Sequence, residues 1–131
     1  MTYTRTVGES MTANPISIAE SASLAEAAKI LDTRKITGLP VVDASGTLVG
    51  VLSQTDLVRV RANSHLNANW PGLPVAQIMT QPALTIAASA TLEEAAKVME
   101  ERRVHRLVVI DVAANPIGII STSDLFRSMV R

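Results

Sequence analysis

The stretch Gly50-Val51-Leu52-Ser53-Gln54-Thr55-Asp56 recurs in the same chain as Gly118-Ile119-Ile120-Ser121-Thr122-Ser123-Asp124. In both copies an apolar run ends in serine, and aspartate follows three residues later, which is typical of a buried strand that leads into a capped helix. Outward from this stretch, Val7 to Arg59 aligns without a gap on Val75 to Arg127. The sequence therefore predicts a duplicated unit, and we expect its functional residues to come in pairs.

An amphipathic helix is predicted in the first half of each repeat. Apolar residues that begin at Leu24 and at Leu92 recur at positions i, i+3, i+4 and i+7, which places them on one helical face. Ser23-x-x-Glu26 and Thr91-x-x-Glu94 predict that each helix begins with a capping box. A short extended piece, Pro15 to Ile18 or Ala83 to Ile86, comes before each helix.

A hairpin is predicted after each helix, because two short β-branched runs flank a polar turn. The turns are Asp43 to Gly46 and Asp111 to Asn115. A second helix is expected to open at Ser53 and at Ser121. The order β-α-β-β-α in each repeat gives an α/β (α+β) fold.

The length of the chain suits one compact domain or two small units that share a core. It has 131 residues, of which 47% are hydrophobic and only 2% aromatic, so we expect an aliphatic core. An isolated unit of about 60 residues buries only ~60% of its surface, so the halves are expected to need each other. The predicted division is an amino-terminal tail (1–6), a first repeat (7–62), a linker (63–74) and a second repeat (75–131).

Charge and cysteine content exclude several classes of function. Twelve basic residues balance twelve acidic ones, and no basic run supports general nucleic-acid binding. The absence of cysteine excludes disulfides and thiolate chemistry and is compatible with a reducing compartment. No apolar run approaches the ~20 residues that span a bilayer. We therefore expect a soluble, cytoplasmic protein that does not bind membranes.

The Ser-x-x-Asp pairs are the candidate binding residues. A helix amino end presents unpaired N–H groups that can hold a phosphate, and the hydroxyl of Ser53 or Ser121 can add a hydrogen bond. Ionised Asp56 or Asp124 accepts hydrogen bonds, which suits a vicinal diol such as that of ribose. The alternative is that each pair only caps its helix, and a duplicated cap does not decide between the two interpretations.

The chain resembles a tandem pair of CBS (cystathionine-β-synthase) domains, the assembly also called a Bateman module. Four motifs carry the resemblance, in the same order in both repeats: Met-Thr, the Leu-x-Glu-Ala-Ala helix, the strand that begins at Leu39 or Leu107, and Gly-h-h-Ser-x-x-Asp, where h is apolar. In the second repeat Val108 replaces the proline that follows Leu39. The match covers almost the whole chain.

The resemblance implies an architecture and a ligand class. Two repeats would pack through their sheets with pseudo-twofold symmetry, leave two clefts for adenosine-containing ligands, and pair into a homodimer. Asp56 and Asp124 would bind ribose and Ser53 and Ser121 would contact phosphate. The extended pieces would line the adenine pocket, with Ile16, Ser17, Leu84 and Thr85.

The resemblance also implies unequal sites. His105-Arg106 stands where the first repeat has Thr37-Gly38, and basic residues at this place often reach phosphates in the family. If these side chains reach across to the other repeat, the Asp56 site gains the richer phosphate contact.

We therefore expect a nucleotide sensor that binds AMP, ADP, ATP or S-adenosylmethionine as a regulatory ligand, requires no cofactor, and acts on a separate protein in trans. The alternative is a ligand-free module for constitutive dimerisation or docking. An enzyme is not expected, because no nucleophile elbow or phosphate-binding Walker loop is present.

The two histidines do not predict a metal site, and the tryptophan is expected to have a structural role. The histidines, His65 and His105, stand in different contexts, so no metal site is expected. Trp70 is expected to hold the linker against the domain, and stacking on a nucleotide base is the alternative.

Overall fold

The computed structural model of the chain describes residues 5–13, 16–63 and 68–130. It divides into two compact units. The first unit is residues Ile16–Ala83, and the second combines Met1–Pro15 with Leu84–Arg131. Pro15 of the predicted extended piece and His65 lie outside the described residues.

The first unit places two helices against a three-stranded sheet. The central strand, Gly38–Val42, is parallel to Ile18–Ala19 and antiparallel to Leu48–Ser53. Its elements are β2 (Ile18–Ala19), α2 (Leu24–Arg34), β3 (Gly38–Val42), β4 (Leu48–Ser53) and α3 (Gln54–Ala62).

The second unit repeats this arrangement and adds a strand and a short helix from the amino-terminal part of the chain. The sheet order is β1-β7-β6-β5, with β5 parallel to β6 and the other pairs antiparallel. Its elements are α1 (Val7–Ser10), β1 (Thr12–Ala13), β5 (Thr85–Ala87), α4 (Leu92–Arg102), β6 (Arg106–Ile110), β7 (Pro116–Ser121) and α5 (Thr122–Met129).

The predicted order β-α-β-β-α is therefore confirmed in both repeats. The helical stripes are buried at most of the predicted positions, with Leu24 and Ala27 fully buried in α2 and Ala95 in α4. The exception is Ala96, the i+4 residue of the second stripe, which is exposed. Trp70 packs against the core of the first unit, which confirms its predicted role. It begins a short 3-10 turn, Trp70–Gly72.

The capping boxes predicted for α2 and α4 are only half formed. Ser23 Oγ accepts a hydrogen bond from the N–H of Glu26 at 3.1 Å, and Thr91 Oγ1 accepts one from Glu94 at the same distance. Within the described residues, neither glutamate carboxylate accepts a hydrogen bond from the backbone N–H of Ser23 or Thr91. Both glutamates are exposed.

The two hairpin turns have the same hydrogen-bond pattern. Backbone N–H groups of Ala113 and Asn115 both donate to Asp111 Oδ1 at 2.9 Å. These bonds, that from Asn115 above all, hold the pKa of Asp111 below its usual value. In the other turn Asp43 accepts in the same way from Ser45 and Thr47.

The Met-Thr segments, residues 7–12 and 75–80, each lie in a different unit from the rest of their own repeat. Val7 is fully buried in the core of the second unit, and Val75 is fully buried in the core of the first. Each Met-Thr segment thus completes the unit that contains the other repeat's helices.

Each Met-Thr segment crosses a strand at a glycine. Thr80 and Val51 exchange backbone hydrogen bonds of 2.9 and 3.0 Å. A Cβ atom on Gly50 would lie 2.8 Å from both Met79 Sδ and the carbonyl oxygen of Thr80. The same crossing occurs in the second unit at Gly118, where a Cβ atom would lie 2.6 Å from Met11 Sδ and 2.9 Å from the carbonyl oxygen of Thr12.

Alanine at Gly50 or Gly118 is expected to lower the free energy of unfolding by about 1–3 kcal/mol, because the added methyl group pushes the crossing backbone away. Urea denaturation of the purified variants measures this. Gly72→Ala is the matched control, since nothing lies within 4 Å of its Cβ position, and it should change stability by less than about 0.5 kcal/mol. If Gly50→Ala unfolded at the same urea concentration as the wild type, the close approach of Met79 and Thr80 to Gly50 would be contradicted.

Candidate functional site

Ser53 and Asp56 form a reciprocal capping box at the start of α3. Asp56 Oδ2 accepts hydrogen bonds from the backbone N–H of Ser53 at 2.9 Å and from its hydroxyl at 3.1 Å. Ser53 Oγ in turn accepts from the N–H of Asp56 at 3.2 Å. Both residues are buried, with 8% of Ser53 and 5% of Asp56 exposed. The structure thus confirms the predicted helix start and its cap.

The second carboxylate oxygen of Asp56 has partners from outside the box. The Thr80 hydroxyl donates to Oδ1 at 3.3 Å, and Arg59 Nη1 lies 3.7 Å from the same atom. Thr80 comes from the Met-Thr segment that crosses Gly50, so the two sequence motifs meet at this carboxylate. Arg59 is largely exposed, which makes its ion pair weak.

Ser121 and Asp124 repeat the capping box at the start of α5. Asp124 Oδ2 accepts from the N–H of Ser121 at 2.8 Å and from its hydroxyl at 3.1 Å. Oδ1 of Asp124 pairs with Arg127, whose side chain is half exposed. A buried carboxylate at a helix amino end therefore occurs once in each unit.

The surroundings of the two carboxylates differ. In the second unit Asp124 lies at a cavity of ≈ 230 Å³ that is lined by polar side chains. Its other lining residues are Arg5, Glu9, Ser10, Met11, Arg127 and Ser128. If the alignment of the two repeats is continued past its ends, the positions of Arg5, Ser10 and Ser128 are occupied in the first unit by Leu73, Ile78 and Val60. These three apolar residues pack against the first unit's core.

His105 and Arg106 lie beside the start of α5 in their own unit. Arg106 is paired with Ser121 across the sheet, and the carbonyl oxygen of His105 accepts the N–H of Thr122 at 3.0 Å. The first unit has the same geometry with Thr37 and Gly38. Thr37-Gly38 and His105-Arg106 thus occupy equivalent positions in the two units, beside the starts of α3 and α5. A contact of His105 or Arg106 with the site of Asp56 stays a prediction.

The predicted adenine-contacting residues lie at or directly before the starts of β2 and β5. Ile16 and Ser17 are half-buried and come directly before β2. Leu84 is half-buried, and its carbonyl oxygen accepts the N–H of Val108 at 2.9 Å. Thr85 is exposed and opens β5. Their role with a ligand remains a prediction.

Thr80 and Arg5 are among the site residues that sequence reasoning missed, together with Arg59 and Arg127. The duplicated Met-Thr motif marked Thr80 as a structural landmark, but a threonine in sequence gives no sign of which carboxylate it meets. Arg5 precedes the aligned repeats, so no comparison between the halves drew attention to it.

Neither a metal-binding cluster nor a membrane-spanning helix occurs in the described part of the chain. Across residues 5–13, 16–63 and 68–130, no group of three or more histidine, aspartate or glutamate side chains is placed to hold a metal ion. No helix in those same ranges is long and apolar enough to cross a membrane.

A family model described as the CBS domain matches this chain twice, at residues 7–63 and 75–131. The two matches coincide with the repeats and cover most of the chain. They confirm the resemblance to a tandem pair and, with the structural neighbours below, the predicted α+β fold.

Among curated relatives, a homoserine O-acetyltransferase of Methanocorpusculum labreanum is 34% identical over 95% of this chain. The chloroplastic CBS domain-containing protein CBSX2 of Arabidopsis thaliana is 31% identical over 96% of it. The chain spans 24% of the first relative and 64% of the second. The enzyme is therefore matched over a minor part of its length.

Two similar solved structures contain adenosine compounds. CBSX2 in complex with AMP is 36% identical, has a TM-score of 0.76, and matches over 95% of this chain and 96% of that one. The CBS domain pair of protein MJ0100, in complex with 5′-methylthioadenosine and S-adenosylmethionine, is 26% identical with a TM-score of 0.84. That match covers 98% of both chains.

Replacement of Asp56 or Asp124 by alanine is expected to lower the free energy of unfolding by about 1–3 kcal/mol in the absence of any ligand, because buried donors of the cap lose their acceptor. Urea denaturation measures the effect. Glu26→Ala and Glu94→Ala remove carboxylates at the equivalent position of α2 and α4, where no reciprocal bond is described, and should cost less than about 0.5 kcal/mol. Equal losses in all four variants would contradict the buried capping boxes.

Proposed function

Because the chain belongs to the CBS domain family, we propose that it is a regulatory module that binds adenosine-containing ligands and signals to a separate protein in trans. One observation carries the proposal: a serine–aspartate pair whose carboxylate is buried stands at the amino end of a helix in each unit. The AMP complex of a relative 36% identical over 95% of this chain supports the ligand class.

The chemistry of the pair fits a nucleoside monophosphate or a related adenosine compound. Asp56 and Asp124 can each accept hydrogen bonds from the two ribose hydroxyls. Ser53 and Ser121 lie at the amino ends of α3 and α5, where the helix dipole favours a phosphate. A ribose hydroxyl at Oδ1 of Asp56 would replace or share the bond from Thr80.

The remaining site residues are assigned by family resemblance. Ile16 and Ser17 would contact adenine in one site, and Leu84 and Thr85 in the other. His105 and Arg106 are proposed phosphate contacts, which gives the two sites different affinities for charged ligands.

The ligand is proposed to be AMP, ADP, ATP or S-adenosylmethionine, bound as a regulator and not as a cofactor. The module is proposed to be non-catalytic, to work in the cytoplasm and to act as a homodimer. The acetyltransferase activity named for one relative is not carried over, because the chain spans 24% of that protein.

Signalling requires two arrangements of the module with different ligand affinity. A ligand shifts their populations only by the difference in its binding free energy. The capping boxes are suited to this, since the same carboxylates that would bind ligand also hold the starts of α3 and α5. Occupation of a site would therefore alter the bonds to Thr80 or Arg127 next to it.

A ligand-free docking module is the second candidate. It is favoured by the hydrogen bonds of Asp56 and Asp124, whose carboxylates already have partners on both oxygens. In that case the buried aspartates serve the helix starts alone, and no adenosine compound would stabilise the protein.

Thermal denaturation with a panel of AMP, ADP, ATP, S-adenosylmethionine and NAD tests the sensor directly. At least one compound should raise the melting temperature, because a ligand at 100 times its dissociation constant stabilises the native state by about 2.7 kcal/mol. Asp56→Asn and Asp124→Asn should each reduce the shift, since the amide replaces an ionised acceptor. The asparagine Oδ1 can still accept the hydrogen bond from the backbone N–H of Ser53 or Ser121, so this bond of the capping box is kept.

Glu26→Gln and Glu94→Gln are the matched controls, because they make the same chemical change at exposed positions equivalent to Asp56 and Asp124. Both should keep the full shift. If none of the five compounds changes the melting temperature of the wild type, the sensor proposal is wrong and the docking module replaces it.

Calorimetry with the strongest phosphorylated ligand of the panel should resolve two unequal sites. Arg106→Gln should weaken one of the two binding events by about tenfold or more, the loss of one charge-assisted hydrogen bond of ~1.5–3 kcal/mol. Arg61→Gln, an exposed arginine late in α3, is the control for the change in charge. Two identical sites in the wild type would contradict the inequality.

A further inference from the structure

The polar cavity beside Asp124 has the size of a small ligand group. Its volume is ≈ 230 Å³, whereas pockets that enclose a whole drug-sized ligand measure ≈ 300–1,000 Å³. Its wall is formed by Arg5, which precedes α1, by Ser10 at the end of α1, and by residues of α5 that include Arg127. The cavity therefore suits a single polar group.

The fold does not require a polar lining at this place. Leu73, Ile78 and Val60 stand at the equivalent positions of the first unit and pack against its core. The first unit forms the same helices and strands with these apolar residues. Three polar side chains that line one cavity and have no polar counterpart in the other unit favour a binding role.

The two carboxylates in the cavity wall already accept hydrogen bonds. Glu9 Oε1 accepts from the N–H and from the hydroxyl of Thr6, both at 3.0 Å. Asp124 accepts from Ser121 through Oδ2 and pairs with Arg127 through Oδ1. The acidic side chains of the wall therefore have donors from within the protein.

The donors in the wall are not matched in the same way. Across residues 5–13, 16–63 and 68–130, the half-buried Arg5 guanidinium forms no ion pair and no hydrogen bond, and the Ser10 hydroxyl forms no hydrogen bond. Arginine has five N–H donors and no acceptor, and a charge removed from water is costly without a partner. What the cavity lacks is an acceptor.

We propose that this cavity binds a phosphate group between Arg5 and Arg127. A guanidinium group is planar and can donate two parallel hydrogen bonds to the oxygens of a phosphate. The Ser10 hydroxyl can donate a further one. With the phosphate in place, charges of opposite sign alternate from Asp124 to Arg127, to the phosphate and to Arg5, so that each anion lies next to a cation.

A phosphate can reach the cavity from two sources. It is either the free inorganic ion or the phosphate of an adenosine nucleotide whose ribose is bound by Asp124. The first source goes beyond the proposed function, and the second rests on it. In both cases Arg127 joins the phosphate to Asp124, so occupation of the cavity alters the partner of that carboxylate. The cavity uses none of the phosphate contacts that the family resemblance implies, which are Ser53, Ser121, His105 and Arg106.

Nuclear magnetic resonance of the ¹⁵N-labelled chain, recorded on the arginine Nε–Hε groups, tests the site during titration with inorganic phosphate. Sodium chloride keeps the ionic strength constant, because salt screens charge pairs. The signals of Arg5 and Arg127 should shift and reach saturation. Arg5→Gln should weaken this binding by about tenfold or more, the loss expected for one charge-assisted hydrogen bond. Arg5→Leu, which introduces the residue type of the first unit, should weaken it as much.

Arg61→Gln is the matched control, because it removes the same charge at an exposed position of α3. It should bind phosphate as the wild type does. Arg5 signals that stay in place, or that respond equally to sodium chloride alone, would overturn the proposal. Equal weakening by Arg61→Gln would overturn it too, since the effect would then come from net charge.

Adenosine and AMP distinguish the two sources. If AMP shifts the Arg5 signal and adenosine does not, the phosphate in the cavity belongs to a nucleotide, and Arg5→Gln should remove the difference in affinity between the two compounds. If inorganic phosphate shifts the Arg5 signal and AMP does not, the cavity binds the free ion. If no adenosine compound binds the protein at all, the sensor proposal fails, and the titration with inorganic phosphate still decides whether the cavity is an anion site.

Discussion

The close crossing of each Met-Thr segment over a glycine is the constraint on which the rest of the structure depends. At Gly50 and at Gly118 the crossing backbone comes so near that no Cβ atom fits. The crossing lets Thr80 exchange backbone hydrogen bonds with Val51 and brings its hydroxyl to Asp56. The glycine and the aspartate of the Gly-h-h-Ser-x-x-Asp motif are thus linked by a segment that lies elsewhere in sequence. The close crossing at the glycine recurs in the second unit at Gly118, where Oδ1 of Asp124 pairs with Arg127.

The buried aspartates combine a structural role with a candidate functional one. Burial of an ionised carboxylate is costly unless hydrogen bonds compensate for the lost water. The capping boxes supply this compensation through the backbone and hydroxyl of Ser53 and Ser121. The second oxygen of each carboxylate has weaker or more exposed partners. These are Thr80 and Arg59 for Asp56, and Arg127 for Asp124. That oxygen is where a ribose hydroxyl could compete, and the two copies differ there.

Much of the fold could be predicted from the sequence, because it is encoded locally. The apolar period of α2 and α4, the capping serines and the polar turns each depend on residues within a few positions. The destination of the Met-Thr segments could not be predicted, since both copies have the valine and the Met-Thr pair and either would fit either core by this pattern alone. The missing reciprocal bonds of Glu26 and Glu94 have a similar cause: both side chains are exposed, so water competes for the carboxylates. The candidate site was predicted to the level of Ser53, Asp56, Ser121 and Asp124, whereas Thr80 and Arg5 depend on tertiary contacts that no local pattern contains.

The central claim is that an adenosine ligand acts at the starts of α3 and α5. Nuclear magnetic resonance of the ¹⁵N-labelled protein during titration with AMP tests it most directly. The account predicts that the amide signals of Ser53, Asp56, Ser121 and Asp124 move the most, because these groups belong to the capping boxes. Signals that stay in place there at saturating AMP, or that move only at distant surface residues, would contradict it.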